Sequence, residues 1–321
     1  MIAVLAGGVG AARLLAGMVD AVDQSEITVI GNTGDDLELY GLHISPDLDT
    51  VLYTLGGIAD PERGWGCADE TWNFMAALGR FGGETWFQLG DRDLAMHVSR
   101  TEWLRRPGKL SEFASRTAHS LGMSAQVLPM SDDAVRTIVE TAEGDLPFQH
   151  YFVRRRCEPI VKGIRFQGAA AATPCSGVLE LLLNPAVRAI VVCPSNPYLS
   201  VDPILSVPGI RDALANSAAP VIAVSPIIGG QAVKGPTAKI MRELGVAVNT
   251  RAIGAHYSGL IDGLVIDEVD AADEVLAGVP VMVTRTMMKD LADRERLAGD
   301  VVAFAEKLSR QPIAMGASGS R

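Results

Sequence analysis

The chain has 321 residues and a formal net charge of −10, with 48% hydrophobic and 21% charged residues. That is the composition of a soluble globular protein, with room for one large domain or two modest ones. The acidic balance argues against broad nucleic-acid binding, which needs basic surface to neutralise phosphates, and no apolar stretch reaches the ~20 residues of a membrane span. A small anionic ligand stays open, with Arg13, Arg92, Lys234 and Lys239 as local cations. Cys67, Cys157, Cys175 and Cys193 are widely spaced and form no C-x-x-C pair. A zinc or redox pair is therefore not expected, and a reducing cytosol is. The first residues are apolar but lack a basic n-region, so a signal peptide is not expected and the location is read as cytoplasmic.

Short β-branched runs alternate with helical patterns along the chain. This predicts an α/β, Rossmann-like, mostly parallel sheet flanked by helices. Strands are expected at residues 2–5, 27–31, 125–128, 189–193, 221–224, 264–267 and 279–283, and helices at 11–21, 177–183, 209–216, 237–244 and 293–308. Two stretches break the alternation. Residues 56–123 hold all the tryptophans and read as a mainly helical insertion; residues 135–166 carry β-like runs at 137–141 and 148–153, a hairpin excursion. Both belong to a single domain spanning 1–312, and the Gly- and Ser-rich residues 313–321 read as a frayed tail.

After the first strand comes Gly7-Gly8-Val9-Gly10-Ala11-Ala12-Arg13. Glycines let a backbone approach a phosphate, and a helix start presents free N–H groups to it. The turn lacks the G-K-[ST] of a Walker loop, and Arg13 stands where a dinucleotide fingerprint has Gly or Ala. A tight turn with no ligand is the competing, less favoured reading. Next come two groups of carboxylates, in Gly31-Asn32-Thr33-Gly34-Asp35-Asp36 and in Ser45-Pro46-Asp47-Leu48-Asp49-Thr50. Alone, Asp47 reads as a helix N-cap and Asp35 or Asp36 as an Asx-turn. Together, near a phosphate turn, Asp35, Asp36, Asp47 and Asp49 are candidate Mg²⁺ ligands, because carboxylate oxygens suit an ion shared with substrate phosphates. Gly90-Asp91-Arg92-Asp93 packs both charge signs into a short stretch ending at His97, which reads as a satisfied histidine rather than a base. Pro194-Ser195-Asn196-Pro197 and Ser225-Pro226-Ile227-Ile228-Gly229 follow later strands, and Lys234-Gly235-Pro236-Thr237 opens a helix where a lysine makes better sense with an anion beside it.

These motifs, with Pro129-Met130-Ser131-Asp132-Asp133, occur in one order over nearly the whole chain and closely resemble the 2-phospho-L-lactate transferase family of deazaflavin coenzyme F-420 biosynthesis. Arg63-Gly64-Trp65-Gly66 resembles the family pattern less specifically. The resemblance implies a Mg²⁺-dependent homodimeric transferase. Its donor would be a guanosine diphosphate-linked three-carbon acid and its acceptor the ribityl hydroxyl of the deazaflavin FO, with GMP leaving. On this reading Gly8, Val9, Gly10, Arg13 and Lys234 hold phosphates, while Ser195 and Asn196 contact the nucleotide. Asp36 and Asp49, with Asp35 or Asp47, place the metal, and Asp49 accepts or orients the acceptor hydroxyl. Gln88, Asp91 and Arg92, with Asp49, bind the deazaflavin, walled by Trp65 and Trp72. Phospholactyl, phosphoenolpyruvyl and phosphoglyceryl donors stay open. The rivals are a non-catalytic nucleotide-sugar-binding regulator of similar fold, and a nicotinamide dehydrogenase, against which Arg13 and the acidic crevice argue.

Overall fold

The structure, a computed structural model, describes residues 1–276 and 278–308; the expected tail lies outside the described residues. In chain order the strands are β1 (Ile2–Ala6), β2 (Ile27–Gly31), the hairpin β3 (Leu37–Leu39) and β4 (Leu42–Ile44), β5 (Gln126–Pro129), β6 (Arg136–Thr141), β7 (Gly144–Pro147), β8 (Val161–Gln167), β9 (Ala189–Val192), β10 (Val221–Val224), the short pair β11 (Ile227–Ile228) and β12 (Gln231–Ala232), β13 (Gly263–Asp267) and β14 (Val281–Thr284). Seven of them form one parallel sheet in the order β14-β13-β10-β9-β1-β2-β5. Every residue of β1, β2, β9, β10 and β13 is buried, because helices cover both faces of the sheet. That is why these strands read as unbroken apolar runs rather than alternating ones.

The strand order places β1 at a reversal: the chain runs outward from β1 through β2 to β5, then returns to add β9 on the other side. Loops leaving β1 and β9 therefore diverge, and the crevice between them is where such sheets bind ligands. One sheet face is covered by α1 (Gly8–Ala21), α2 (Pro46–Leu55) and the last helix, Leu291–Lys307, with Leu14, Leu15, Leu48, Leu52, Val301 and Phe304 in a continuous core. The other face carries the helices Val178–Leu183, Ile210–Ala215 and Thr250–His256.

The insertion holds α3 (Asn73–Arg80), α4 (Asp91–Arg105) and α5 (Leu110–Ser120), mainly helical as expected. The hairpin excursion is a three-stranded antiparallel sheet in the order β7-β6-β8. Here the strand expected at 148–153 is corrected. Residues His150–Arg154 form a single π-helical turn, and β6 pairs instead with β7. Coiling brings Phe148 and Phe152 face to face at 5.3 Å and buries Tyr151; an extended chain would have put Phe148 and Tyr151 on opposite faces.

α1 and the last helix cross in backbone contact at Gly17, where a β-carbon would lie 2.2 Å from the carbonyl of Arg294. No flexible side chain is available to yield there. Gly17→Ala should therefore cost about 1–3 kcal/mol through overpacking, although alanine favours helix. A urea denaturation midpoint at or above that of the parent would refute this account of the crossing.

Candidate functional site

The glycine turn is itself the start of α1. Helix begins at Gly8, which has φ +73°, rather than at Ala11, so Gly8, Val9 and Gly10 form its first turn. A β-carbon at Gly10 would lie 2.2 Å from the carbonyl oxygen of Pro194, so glycine is required by close approach of the β9 loop. That loop is bound to the turn: the Ser195 hydroxyl donates to the Gly7 carbonyl at 2.7 Å. The Asn196 side-chain oxygen caps the following turn through Tyr198 and Leu199 N–H, while its amide nitrogen is buried without a partner among the described residues.

These loops line a cavity of about 540 Å³ at the reversal point, within the usual range for small-ligand sites. Of the residues expected at the site, Gly8, Val9, Gly10, Arg13, Asp35, Asp47, Asp49, Gln88, Ser195, Asn196 and Lys234 line it. Asp36, Asp91 and Arg92 do not. Lys234 stands in the turn before Pro236, which caps the helix Thr237–Glu243, so the lysine is not in the helix itself. Lys239 lies away from the cavity, paired with Glu243.

The four aspartates pair differently from their order in sequence. Asn32 binds them into a new group: its amide nitrogen donates to Asp35 at 2.7 Å and to Asp47 at 2.9 Å. Asp47 is not a helix cap, since Ser45 holds that position; Asp47 instead accepts from the N–H of Gly8. Burial first, then repulsion from Asp47 and Asp36, pushes the Asp35 carboxyl well above the carboxylate range. Burial likewise raises Asp47 to about 6, against the pull of Asn32. Among the described residues neither makes an ion pair, so the two form a buried carboxylate couple short of positive charge.

Asp36 faces away from the cavity and accepts from the Ser45 hydroxyl at 2.6 Å, with burial raising it to about 7. His43 approaches it at 3.6 Å, but burial and then Arg100 lower that histidine to about 3. The contact is thus a polar one, not a charged pair. Asp49 belongs to a third environment. Arg100, fully buried on α4, donates to both its oxygens, at 2.5 and 2.8 Å. Burial alone would lower the Arg100 pKa, but Asp49 beside it raises it. The same guanidinium lies 2.8 Å from His97 Nδ1. Arginine can only donate, so Nδ1 must accept and the proton sits on Nε2, which lies 3.3 Å from Asp93 Oδ1. Tyr53 donates to the same Asp93 oxygen at 2.5 Å. Asp49, Asp93 and His97 could by spacing bind a metal, but the Arg100 guanidinium already engages both Asp49 oxygens and His97 Nδ1.

Sequence reasoning missed Asn32 and Arg100 as organisers, and Tyr53 and Gln149 in the wall. One signal was available: Asp93, His97 and Arg100 recur at steps of four and three, a polar stripe on one face of α4. Gln149, carried by the π-helical excursion, donates to the Asp35 carbonyl at 3.3 Å.

The displaced pair Asp91 and Arg92 have structural work. Arg92 donates to the Ala68 carbonyl and is largely exposed. Asp91, at the start of α4, accepts from Thr71 Oγ1, Asn73 N–H, Asn73 Nδ2 and Phe74 N–H, and so caps α3; Glu70 caps α4 in return. The Thr71 hydroxyl and then the Phe74 N–H hold the Asp91 carboxyl down to about 2 from its ordinary 3.8. A depressed carboxyl contributes stability above its unfolded pKa and loses it as pH falls through the folded one. Asp91→Ala should therefore lower the melting temperature at neutral pH, with the gap from the parent closing between pH 4 and pH 2. It should leave ligand affinity at the cavity unchanged; a selective loss of affinity with an unaltered melting temperature would restore Asp91 to the site.

A family model described as 2-phospho-L-lactate transferase CofD matches residues 2–305. A phosphoenolpyruvate transferase of Streptomyces coelicolor is 42% identical over 96% of this chain and 98% of its own length. A 2-phospho-L-lactate transferase of Methanopyrus kandleri is 40% identical over 95% of this chain and 97% of its own, and one of Methanocaldococcus jannaschii 37% identical over 96% and 99%. Among solved structures, a UPF0052 family protein of Bacillus halodurans covers 94% of this chain and 98% of its own with a TM-score of 0.63 at 19% identity, which is a likeness of fold. Matched from end to end by the family model and by relatives named as transferases, the chain belongs to the 2-phospho-L-lactate transferase CofD family of enzymes.

Proposed function

We propose that this enzyme transfers a phospho-three-carbon-acid group from a guanosine diphosphate-linked donor to the ribityl hydroxyl of the deazaflavin FO, releasing GMP, in coenzyme F-420 biosynthesis. The observation that carries this reading is the buried Asp35–Asp47 couple, short of positive charge, set against the first turn of α1 in one cavity. Relatives named for phosphoenolpyruvate and for 2-phospho-L-lactate transfer support the class of group moved.

The cavity is polarised. Arg13, Arg63 and Lys234 stand among the lining residues beside the glycine turn, while Phe87, Phe148, Phe152 and Val153 supply apolar wall. Lys234 is lowered by burial and by Arg13, a sign that these cations crowd one another and would gain from an anion between them. The donor diphosphate takes the N–H groups of Val9 and Gly10 with Arg13 and Lys234. Asn196, with its free amide nitrogen, meets the nucleotide. The deazaflavin ring lies on the aromatic wall near Gln88.

Asp35 and Asp47 fit Mg²⁺: two buried carboxylates, raised by burial and unpaired, gain most from a divalent ion. Bound there, the ion would neutralise phosphate charge and make phosphorus a better electrophile. Asp36 and Asp49 leave the ligand set, Asp36 because it is turned from the cavity and Asp49 because Arg100 engages both its oxygens. Asp49 keeps free lone pairs toward the cavity and a fixed orientation, so it receives the hydrogen bond of the ribityl hydroxyl and aims its oxygen at phosphorus.

Incubation with deazaflavin, Mg²⁺ and each of the three guanylylated donors, followed by mass spectrometry, should give one phospho-acid adduct and GMP, identifying the acid. Binding of all substrates without any adduct would favour the non-catalytic rival. Asp49→Asn should lower turnover ~100-fold or more and, because Arg100 loses its charged partner, lower the melting temperature as well; near-normal turnover would remove its assigned role. Mg²⁺ should raise the melting temperature of the parent but not of the Asp35→Asn, Asp47→Asn double variant; an equal rise in both would place the ion elsewhere, and full turnover in excess EDTA would exclude it.

A further inference from the structure

One cation in the cavity wall is held unlike the others. Residues 58–68 form a closed loop, pinned by a bridge between Ala59 and Cys67 and by bonds from Asp60 N–H to the Gly66 carbonyl and from Gly64 N–H to the Asp60 carbonyl. The loop rests on the glycine turn: a β-carbon at Gly64 would lie 2.8 Å from Val9 Cγ1 and 3.8 Å from Lys234 Nζ. Arg63 is thereby carried to the cavity beside the first turn of α1.

Its guanidinium is fixed on several sides. Asp60 accepts from the Arg63 backbone N–H at 2.8 Å, and Arg63 Nη2 meets the same carboxylate at 2.9 Å. The Trp72 and Trp65 rings lie 5.1 and 5.8 Å from its central carbon, themselves edge to face at 6.3 Å. Nη1 is buried with no hydrogen-bond partner among the described residues. A buried donor left unpaired costs free energy, more so on a charged group. Asp60 and the two indoles hold the guanidinium as a whole, and none of them accepts from this nitrogen.

We infer that Arg63 reads the carboxylate of the donor acid, and so selects an acid-bearing donor over the bare nucleoside diphosphate. The inference rests on the donor class proposed above. The diphosphate already has the α1 N–H groups, Arg13 and Lys234. The lactyl, phosphoenolpyruvyl and glyceryl donors share one further anion, a planar carboxylate, and a preoriented guanidinium is the side chain suited to it. Stacking on two indoles weakens its hydration and sharpens its preference for a fixed anionic partner.

The test is equilibrium binding without acceptor, using GDP, the guanosine diphosphate-linked lactate, and the carboxamide of that donor. The parent should bind the carboxylate form ~10- to 100-fold more tightly than the carboxamide, the range of a charged hydrogen bond. Arg63→Gln should bring the two forms to near equality while GDP affinity stays within about twofold, since GDP lacks the group being read. Arg63→Lys should restore part of the preference, having the charge without the fork. Unchanged GDP affinity also reports that the variants are folded. A preference that survives in Arg63→Gln overturns the inference. So does an equal loss for GDP and donor, which would make Arg63 a diphosphate ligand. A parent that binds GDP and donor without preferring the carboxylate sinks this inference alone. A parent that binds neither removes the proposed donor class as well.

Discussion

The ion pair between Asp49 and Arg100 joins two parts of the molecule that sequence order keeps apart. Asp49 stands in the first turn of α2, part of the parent sheet-and-helix layer, and Arg100 on α4, inside the insertion. Both are buried, and the guanidinium meets the carboxylate with two nitrogens. Its remaining capacity goes to the His43 carbonyl and His97 Nδ1, so the arginine is satisfied at three places in a region that excludes water. A buried pair of this kind is weak evidence for net stability, but losing one partner leaves a stranded charge at about 3–5 kcal/mol. The constraint is therefore geometric: the insertion docks in the one position that satisfies Arg100. Phe87, Gln88, Asp93 and His97 reach the cavity because of it.

That pair also sorts the carboxylates around the crevice. Asp49 has its positive charge from within the chain. Asp35 and Asp47 make no ion pair among the described residues: they share the amide of Asn32, Asp47 takes the N–H of Gly8, Gln149 lies 3.5 Å from an Asp35 oxygen, and Arg136 draws on Asp35 only electrostatically. In a medium of low effective dielectric that difference matters: burial raises both Asp35 and Asp47, and repulsion from Asp47 adds to the rise at Asp35. Four acidic residues of similar burial thus separate by partner into one oriented carboxylate, one buried behind the wall at Asp36, and a couple that lacks a cation.

Much of this fold was legible because buried parallel strands leave a strong signature. β2 and β10 fall at the residues expected, and the others within one or two positions. The expected insertion proved helical and held α3 to α5. The excursion was legible only as far as β6. The run 148–153 is rich in aromatics, which fit a strand as well as a turn, and only the burial of Tyr151 against the excursion's own core decides between them. The aspartate pairings were hidden for a different reason. Asp47 reaches Asn32, and through it Asp35, because α2 folds back over the end of β2, a contact fifteen residues apart in sequence that no local pattern encodes. Arg100 was silent because an arginine in an amphipathic helix ordinarily faces water. Asp91 was misleading for the converse reason: its motif is prominent, but capping α3 consumes its lone pairs.

Floor and roof of the cavity are held by different kinds of contact. The floor consists of β1, β9 and the first turn of α1, where Gly10 approaches the Pro194 backbone, Gly7 packs against the side chains of Asp47, Ser200 and Asn32, and Ser195 closes the joint. The roof is where the insertion meets the hairpin excursion. Trp86 packs edge-on to His150 at 4.9 Å, Arg154 pairs with Glu84 at 2.5 Å, and Tyr40 donates to the Glu84 carbonyl. Arg154 and Glu84 are 42% and 55% exposed, and exposed pairs contribute only about 0–1 kcal/mol. Steric fixation below and weak polar contact above give the crevice a floor that cannot adjust and a roof whose contacts cost little to exchange. The α1 N–H groups and the Asp35–Asp47 couple, to which the proposed function gives the phosphate and its metal, sit on the first. The aromatic surface suited to a flat ring, from Phe87 to Phe152, sits on the second.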